Sequence, residues 1–125
     1  MSNLMQSAMP WLRSAARTAA GVSVDYHGEG GDRATGIPAT VTSSTFQLED
    51  DGQIVGQFQS RDYLITVADL VLAGKPYLPR VRDRIHETIG GILHVFEVLS
   101  PGNEQHFRYH DNAHTVFRIH TKKVG

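Results

Sequence analysis

Cysteine is absent from the 125 residues of this chain. Without thiols there is no disulfide framework, no thiolate site for zinc or an iron–sulfur cluster, and no cysteine nucleophile. Long apolar runs are missing as well, because no stretch approaches the ~18 residues that a membrane-spanning helix needs. We therefore expect a fold that rests on its packed core, with support from neighbouring subunits.

An excess of charge of one sign is also missing. The 12 basic and 13 acidic residues give a formal net charge of -1, whereas a protein that binds nucleic acid through phosphate contacts usually carries a basic excess. Free-standing DNA or RNA binding is therefore disfavoured. The N-terminus has no Lys or Arg before Arg13 and no long apolar run, unlike a secretory signal. These features predict a soluble protein of the cytoplasm in which it is made, with no membrane contact.

The N-terminal segment has the composition of a helical arm. Residues 1–21 are rich in Ala, Leu and Met, Pro10 suits the first position of a helix, and Gly21 suits its C-terminal cap. The apolar stripe is mostly alanine, and so short a helix is marginal alone. The arm therefore either packs on the rest of the chain or awaits a partner. Trp11 is predicted to anchor it in a partner's pocket or to hold it against the domain.

After Gly21 the pattern changes to the two-residue period of β-strands. Residues 22–26 alternate in polarity, and Asp51-Gly52 and Gly90-Gly91 are typical of hairpin turns. The pattern predicts an all-β fold, a small single-domain β-barrel or sandwich of about six to eight short strands over residues 22–125. Residues 27–36, with four glycines, predict a mobile loop. The polar run Ser60-Arg61-Asp62 predicts an interruption between strands.

Seven histidines raise the question of a metal site. His106, His110 and His114 recur every four residues, which on a helix places three imidazoles on one face. The surrounding residues alternate as in a strand, where this spacing separates neighbours by about 13 Å, too far for one ion. Surface or partner-facing histidines are favoured. A small metal-binding module or enzyme that uses these residues or His120 is the alternative from another class.

No residue pattern indicates catalysis or a cofactor. Adjacent pairs such as His86-Glu87 point to opposite faces of a strand, and no serine lies in a nucleophile-elbow motif. The glycine-rich run 28–31 lacks the lysine of a phosphate-binding loop. The acidic run 49–51 lacks the alternating spacing of a calcium loop. The sequence therefore predicts a protein that is not an enzyme and has no cofactor.

A succession of short motifs runs through the chain between residues 60 and 99. They are Ser60-Arg61-Asp62-Tyr63-Leu64-Ile65, Ala68-Asp69-Leu70, Leu78-Pro79, Arg82-Asp83-Arg84-Ile85 and Phe96-Glu97-Val98-Leu99. This succession resembles the head–tail joining (attachment) proteins of tailed bacteriophages and prophages, including head-completion and neck stopper proteins. One position departs from the family pattern, since Arg82 stands where the turn usually carries glycine. If that turn requires a positive φ, an arginine is strained there.

The resemblance implies a small barrel that joins the phage head to the tail as part of an oligomeric ring in the virion neck, after assembly in the host cytoplasm. Its implied partners are portal or adaptor proteins, tail proteins and further copies of the chain, with non-specific contact to packaged DNA. Another tail component or a tail-terminator protein is the alternative within the same class.

The resemblance carries no catalytic residues to this chain, because members of the family act by contact through mobile loops and termini. The residues predicted on this basis to bind partners are Trp11, Arg13, Arg17, Glu29, Asp32, Arg33, His106 and His110. The residues predicted to face a DNA channel are Arg80, Arg82 and Arg84.

Overall fold

A computed structural model describes residues 21–102 and 104–125 of the chain. The described part contains a short 3-10 helix at Val67–Asp69 and nine strands. The strands are β1 (Gly21–His27), β2 (Arg33–Asp50), β3 (Gln53–Thr66), β4 (Val71–Leu72), β5 (Lys75–Pro76), β6 (Arg84–Ile89), β7 (Ile92–Val98), β8 (Phe107–Tyr109) and β9 (Val116–Lys123). The predicted N-terminal helix lies outside the described residues.

Six of the strands close into a barrel. Their order is β3-β2-β1-β6-β7-β9, and β9 pairs back with β3. β8 pairs with β9 beside β7, and β4 and β5 form a separate small hairpin. Closure leaves the barrel itself without a free sheet edge. The prediction of an all-β barrel is therefore confirmed for the described residues.

Alternate side chains of the barrel strands fill a single core. Tyr26 on β1, Ile65 on β3 and Ile85 on β6 are all fully buried, as period-two strands around a closed interior require. Each buried isoleucine stabilises the fold by about 2 kcal/mol relative to an exposed one. The core residues are Val24, Tyr26, Ile37, Ala39, Tyr63, Ile65, Leu70, Leu72, Ile85, Phe96, Val98, Phe117 and Ile119.

Both predicted hairpin turns are present. The φ angles are 53° and 77° at Asp51 and Gly52, and 59° and 81° at Gly90 and Gly91. Two consecutive positive φ values define the type I′ turn, which matches the twist of the strands that it joins. The connection predicted at residues 27–36 is shorter in the structure, since β1 extends to His27 and β2 begins at Arg33.

The predicted interruption at Ser60-Arg61-Asp62 is wrong. β3 runs without a break through these residues. Ser60 and Asp62 are buried and hydrogen bonded to each other, and Arg61 forms an ion pair with Glu87. A polar run continues a strand when every buried polar group in it finds a partner.

Candidate assembly surface

Two buried carboxylates mark the two ends of the barrel. Asp83, just before β6, and Glu87, within it, lie on either side of the fully buried Ile85. Four residues of extended chain separate them by about 13 Å. We name the two ends of the barrel the Asp83 end and the Glu87 end.

Asp83 holds together the loops at its end. Its carboxylate accepts hydrogen bonds from the hydroxyls of Tyr26 (2.6 Å) and Tyr77 (2.9 Å). It also accepts bonds from the backbone N–H groups of Glu29 and Arg80, both at 2.8 Å. Burial and the adjacent carboxylate raise the pKa of the Tyr26 hydroxyl above its usual range, so this hydroxyl stays a donor. The buried Asp83 side chain therefore fixes both the β1–β2 loop and the segment 77–80.

Arg82 has the backbone conformation that the family pattern usually assigns to glycine. Its φ angle is 78°, and its N–H donates to the Val98 carbonyl at 2.9 Å. The Arg82 side chain lies in solvent and forms an ion pair with Glu29 at 3.2 Å. A non-glycine residue in this region is strained by roughly 1–2 kcal/mol, so the turn costs stability that its surroundings must offset.

At the other end, Glu87 binds an arginine and a tyrosine inside the barrel. Arg61 donates to both carboxylate oxygens, at 2.8 and 3.0 Å, and the Tyr63 hydroxyl donates to one of them at 2.6 Å. The guanidinium carbon also lies 4.9 Å from the centre of the Phe96 ring. The bidentate ion pair and the cation–π contact together fix the position of Arg61. Arg61 is also the first residue of β3 that pairs with β9.

The register places the turns of the β2–β3 and β6–β7 hairpins at the Glu87 end. β3 pairs with β9 only from Arg61 onward, and the residues before Arg61 lie past the Arg61–Glu87 pair. β6 ends two residues after Glu87, so the Gly90-Gly91 turn lies past the same end. Two hairpins therefore leave the barrel on the same side.

The first of these hairpins is a long two-stranded segment. The described part of β1 pairs with β2 as far as Thr40. Residues 44–60 pair with each other and, among the described residues, with no other strand; we call residues 44–60 the ribbon. Every residue from 47 to 55 is exposed, including Leu48 (41%), Ile54 (60%) and Val55 (64%). A two-stranded segment is marginal alone in water and carries two free edges. Within the described residues, the ribbon therefore presents strand edges without a further partner together with apolar side chains.

A buried ion cluster attaches the base of the ribbon to β9. The carboxylate of Asp62 accepts hydrogen bonds from Ser44 and Ser60, both at 2.5 Å, and from Arg118 at 2.8 Å. The Nδ1 of His120 lies 2.9 Å from it. Burial alone raises the pKa of Asp62, but these hydrogen bonds outweigh it and lower the pKa to about 2. The carboxylate is therefore charged at neutral pH, and the adjacent Arg118 balances its charge.

The second hairpin ends in an apolar turn. The exposed fractions of Ile89, Ile92 and Leu93 are 40%, 64% and 55%. Val124, 43% exposed, lies beside them because its N–H donates to the Val95 carbonyl at 2.8 Å. We call the exposed residues of this hairpin and of the adjoining C-terminus the turn patch: Ile89, Ile92, Leu93, Lys122, Lys123 and Val124.

The predicted partner-binding residues fall in different parts of the fold. Glu29, Asp32 and Arg33 are exposed around the β1–β2 loop at the Asp83 end. His106 is held by the Pro79 carbonyl at 2.7 Å, and His110 follows β8 directly. Three of these five residues thus lie at the β1–β2 loop, and the two histidines flank β8. Three further predicted residues lie outside the described part of the chain, namely Trp11, Arg13 and Arg17.

The predicted DNA-facing arginines are close in sequence but differ in environment. Arg82 and Arg84 form exposed ion pairs with Glu29 and Glu97, at 3.2 and 3.4 Å. The Arg80 guanidinium lies 5.6 Å from the centre of the Tyr77 ring. Each of the three arginines thus already has an interaction within the chain. The ion pairs of Arg82 and Arg84 reduce the positive potential that these two side chains offer to phosphate.

The regularly spaced histidines His106, His110 and His114 do not form a metal site. Within residues 21–102 and 104–125, no three His, Asp or Glu side chains are placed to hold a metal ion. His114 stacks on Tyr109 with ring centres 4.1 Å apart, while His106 bonds to Pro79 and His120 to Asp62. The spacing of four residues therefore does not build a metal site here.

Sequence reasoning missed the surface at the Glu87 end. Alternation of apolar residues alone does not show where a strand extends beyond its neighbours. A signal was present in Gln53-Ile54-Val55 and Ile92-Leu93, where adjacent apolar residues directly follow a predicted turn. Residues on both faces of a two-stranded hairpin tip cannot all reach a core.

The described residues form a small closed barrel with exposed hairpins at one end and no indicated reactive centre. These features are typical of an assembly component. A family model described as phage head-tail joining protein matches residues 2–125. The chain belongs to this family, and membership supports a structural role in the phage virion with contacts to head and tail proteins. No curated protein and no solved structure matches it significantly.

Among the described residues, none forms a helix with the length and hydropathy needed to cross a membrane.

Proposed function

We propose that this protein is a neck component that joins the phage head to the tail as an oligomeric ring, with portal or adaptor proteins on one side and tail proteins on the other. The observation that carries the proposal is the family match over residues 2–125. The exposed hairpins support it, because free strand edges and apolar tips favour association. Assembly in the host cytoplasm and a final place in the virion neck belong to the same proposal.

Several predicted contacts belong to this proposal as well. Residues 1–21 are proposed as an arm that contacts a partner through Trp11, Arg13 and Arg17. On the barrel domain, 22–125, the proposed contacts of the Asp83 end and its neighbourhood are Glu29, Asp32, Arg33, His106 and His110. Segments that order on binding wrap a neighbour even when each contact is weak.

Contact with packaged DNA is proposed through Arg80, Arg82 and Arg84. Arg82 and Arg84 are already paired with glutamates. Their contact with phosphate would therefore release few counterions from the DNA. We expect weak, sequence-independent affinity that decreases with salt along a shallow slope, because few phosphates are neutralised.

Deletion of the gene from its phage tests the proposed function. We expect DNA-filled or leaking heads beside separate finished tails in electron micrographs, and attached particles after the purified protein is added. Normal attached virions from the deletion strain would contradict the joining role. Heads carrying tails of irregular length would instead indicate a tail-terminator protein.

A further inference from the structure

Exposed apolar residues are concentrated at the Glu87 end of the barrel. Ten large apolar residues of the described chain are exposed, and seven of them lie on the two hairpins that leave this end or on the adjoining C-terminus. Four of the seven belong to the turn patch. The other three lie on the ribbon tip, which we define as residues 47–57: Leu48, Ile54 and Val55.

These two apolar surfaces lie on opposite sides of the barrel. In the closed order β3-β2-β1-β6-β7-β9, one strand, β1 or β9, separates the β2–β3 hairpin from the β6–β7 hairpin in either direction. The C-terminal residues belong to the β6–β7 side, since Lys123 pairs with Phe96 of β7. A molecule with two different surfaces on opposite sides can associate head to tail, and a ring forms when the rotation between copies closes.

The two surfaces carry opposite charge. The turn of the ribbon tip contains Glu49, Asp50 and Asp51, and the turn patch contains Lys122 and Lys123. All five are exposed, and no ion pair within the described chain involves any of them. Apolar side chains flanked by unpaired charges of opposite sign form the two halves of a complementary interface.

We propose that the ribbon tip of one copy binds the turn patch of the next copy, so that a second copy of this chain is the partner that both surfaces fit. The inference rests on the proposed ring and specifies its subunit contact. The apolar residues of the two surfaces pack together, and the acidic turn meets the lysine pair at the rim. Repetition of this contact from each copy to the next closes the ring.

Cross-linking in joined particles tests the contact directly, because the chain has no cysteine of its own. Gln53→Cys lies at the ribbon turn and Thr88→Cys beside the turn patch; both positions are exposed, and neither supplies an apolar or charged group of the proposed interface. The purified double variant is added to heads and tails from the deletion strain, and joined particles are treated with a short bismaleimide. Matched controls are the two single variants and Gln53→Cys combined with Thr35→Cys, an exposed threonine near the opposite end.

We expect a ladder of cross-linked multimers from the Gln53→Cys/Thr88→Cys protein alone. Joined particles without a ladder would overturn the contact and leave the joining role intact. Cross-linked dimers from Gln53→Cys alone would overturn it too, since ribbons would then meet each other. A cross-link to a different protein would show that the tip binds a head or tail component instead. Failure of the wild-type protein to rejoin heads and tails would refute the proposed function itself.

Charge exchange gives a second, independent test. Lys122→Glu with Lys123→Glu should lower the yield of joined particles on the order of tenfold, because like charges then face each other across the interface. Glu49→Lys with Asp50→Lys should do the same, because neither position has the positive φ of Asp51. Combining the four substitutions should restore most of the yield, whereas an additive loss would contradict the pairing of these residues.

Discussion

One hairpin, β2–β3, contains two regions that differ in what holds them. In the inner region, residues 33–40 and 61–66 pair with β1 and β9 on their outer edges and supply buried residues such as Ile37 and Ile65. In the outer region, residues 44–60 pair with each other and, in the described part of the chain, with no other strand. Both regions have the same strand geometry, so the difference lies in neighbours and not in local conformation.

The boundary between the two regions is chemically marked. Asp62, Arg118 and His120 lie where the ribbon joins the barrel, and the Phe46 ring contacts the His120 ring edge-on with centres 5.2 Å apart. Beyond this point the residues from 47 to 55 are exposed. The inner region therefore serves the stability of the single chain, and we interpret the outer region as a surface kept for association.

The largest contrast should come from the same truncation in the two regions. Ile65→Ala removes a fully buried side chain and should lower the free energy of unfolding by about 3 kcal/mol. Ile54→Ala, on the same strand but 60% exposed, should change it by less than about 0.5 kcal/mol. Urea denaturation of both variants measures the difference. Equal losses would contradict the division of the hairpin.

The boundary cluster gives the next largest effect. Asp62→Asn leaves the half-buried Arg118 and the buried His120 without a carboxylate and should cost about 3 kcal/mol at neutral pH. Asp51→Asn at the ribbon turn is the control and should be neutral, because asparagine tolerates the positive φ found there. Thermal and urea unfolding at pH 7 compare the two variants, and a mild effect of Asp62→Asn would refute the role of the cluster.

The same carboxylate predicts a pH dependence with a definite sign. The folded-state pKa of Asp62 is lowered from 3.8 to about 2, so its contribution is complete above pH 5 and is lost as the pH falls through 4 toward 2. A shift of this size corresponds to about 2 kcal/mol of stability at neutral pH, most of which is lost by pH 2. The stability difference between wild type and Asp62→Asn should shrink by that amount over this range in urea titrations. A difference that stays constant from pH 7 to pH 2 would be incompatible with the lowered pKa.

The smallest effect concerns the turn at the Asp83 end. Arg82→Gly should raise the free energy of unfolding by about 1 kcal/mol, because glycine adopts the φ of 78° without strain. The lost ion pair with Glu29 is exposed and contributes little. Arg82→Ala removes the same ion pair but keeps the strain, so it should not stabilise. Destabilisation by Arg82→Gly in the same denaturation assay would show that the side chain, not the backbone, dominates here.

Much of the barrel was predictable from the sequence for a physical reason. Alternation identifies strands that bury one face, and Asp51-Gly52 and Gly90-Gly91 identify type I′ turns by the backbone that glycine permits. The departure at Arg82 was also visible, since a family turn that usually carries glycine indicates a positive φ.

The remaining features depend on contacts that a sequence pattern does not encode. Ser60-Arg61-Asp62 suggested a break because its partners, Glu87, Arg118 and His120, are distant in sequence. The extent of the ribbon depends on where β9 stops pairing with β3, which alternation in β2 and β3 does not reveal. The predicted site residues are polar or charged except Trp11, whereas the surface at the Glu87 end is largely apolar.

The most direct test of the account shortens the ribbon and measures joining. Replacing residues 47–57 by Asn-Gly keeps the Phe46–Phe58 pair and the Asp62 cluster, so the variant should fold with the melting temperature of the wild type. Added to separate heads and tails from the deletion strain, it should yield no joined particles, while the wild-type protein restores them. Joining at the wild-type level by the folded, shortened variant would contradict the claim that the ribbon is kept for assembly.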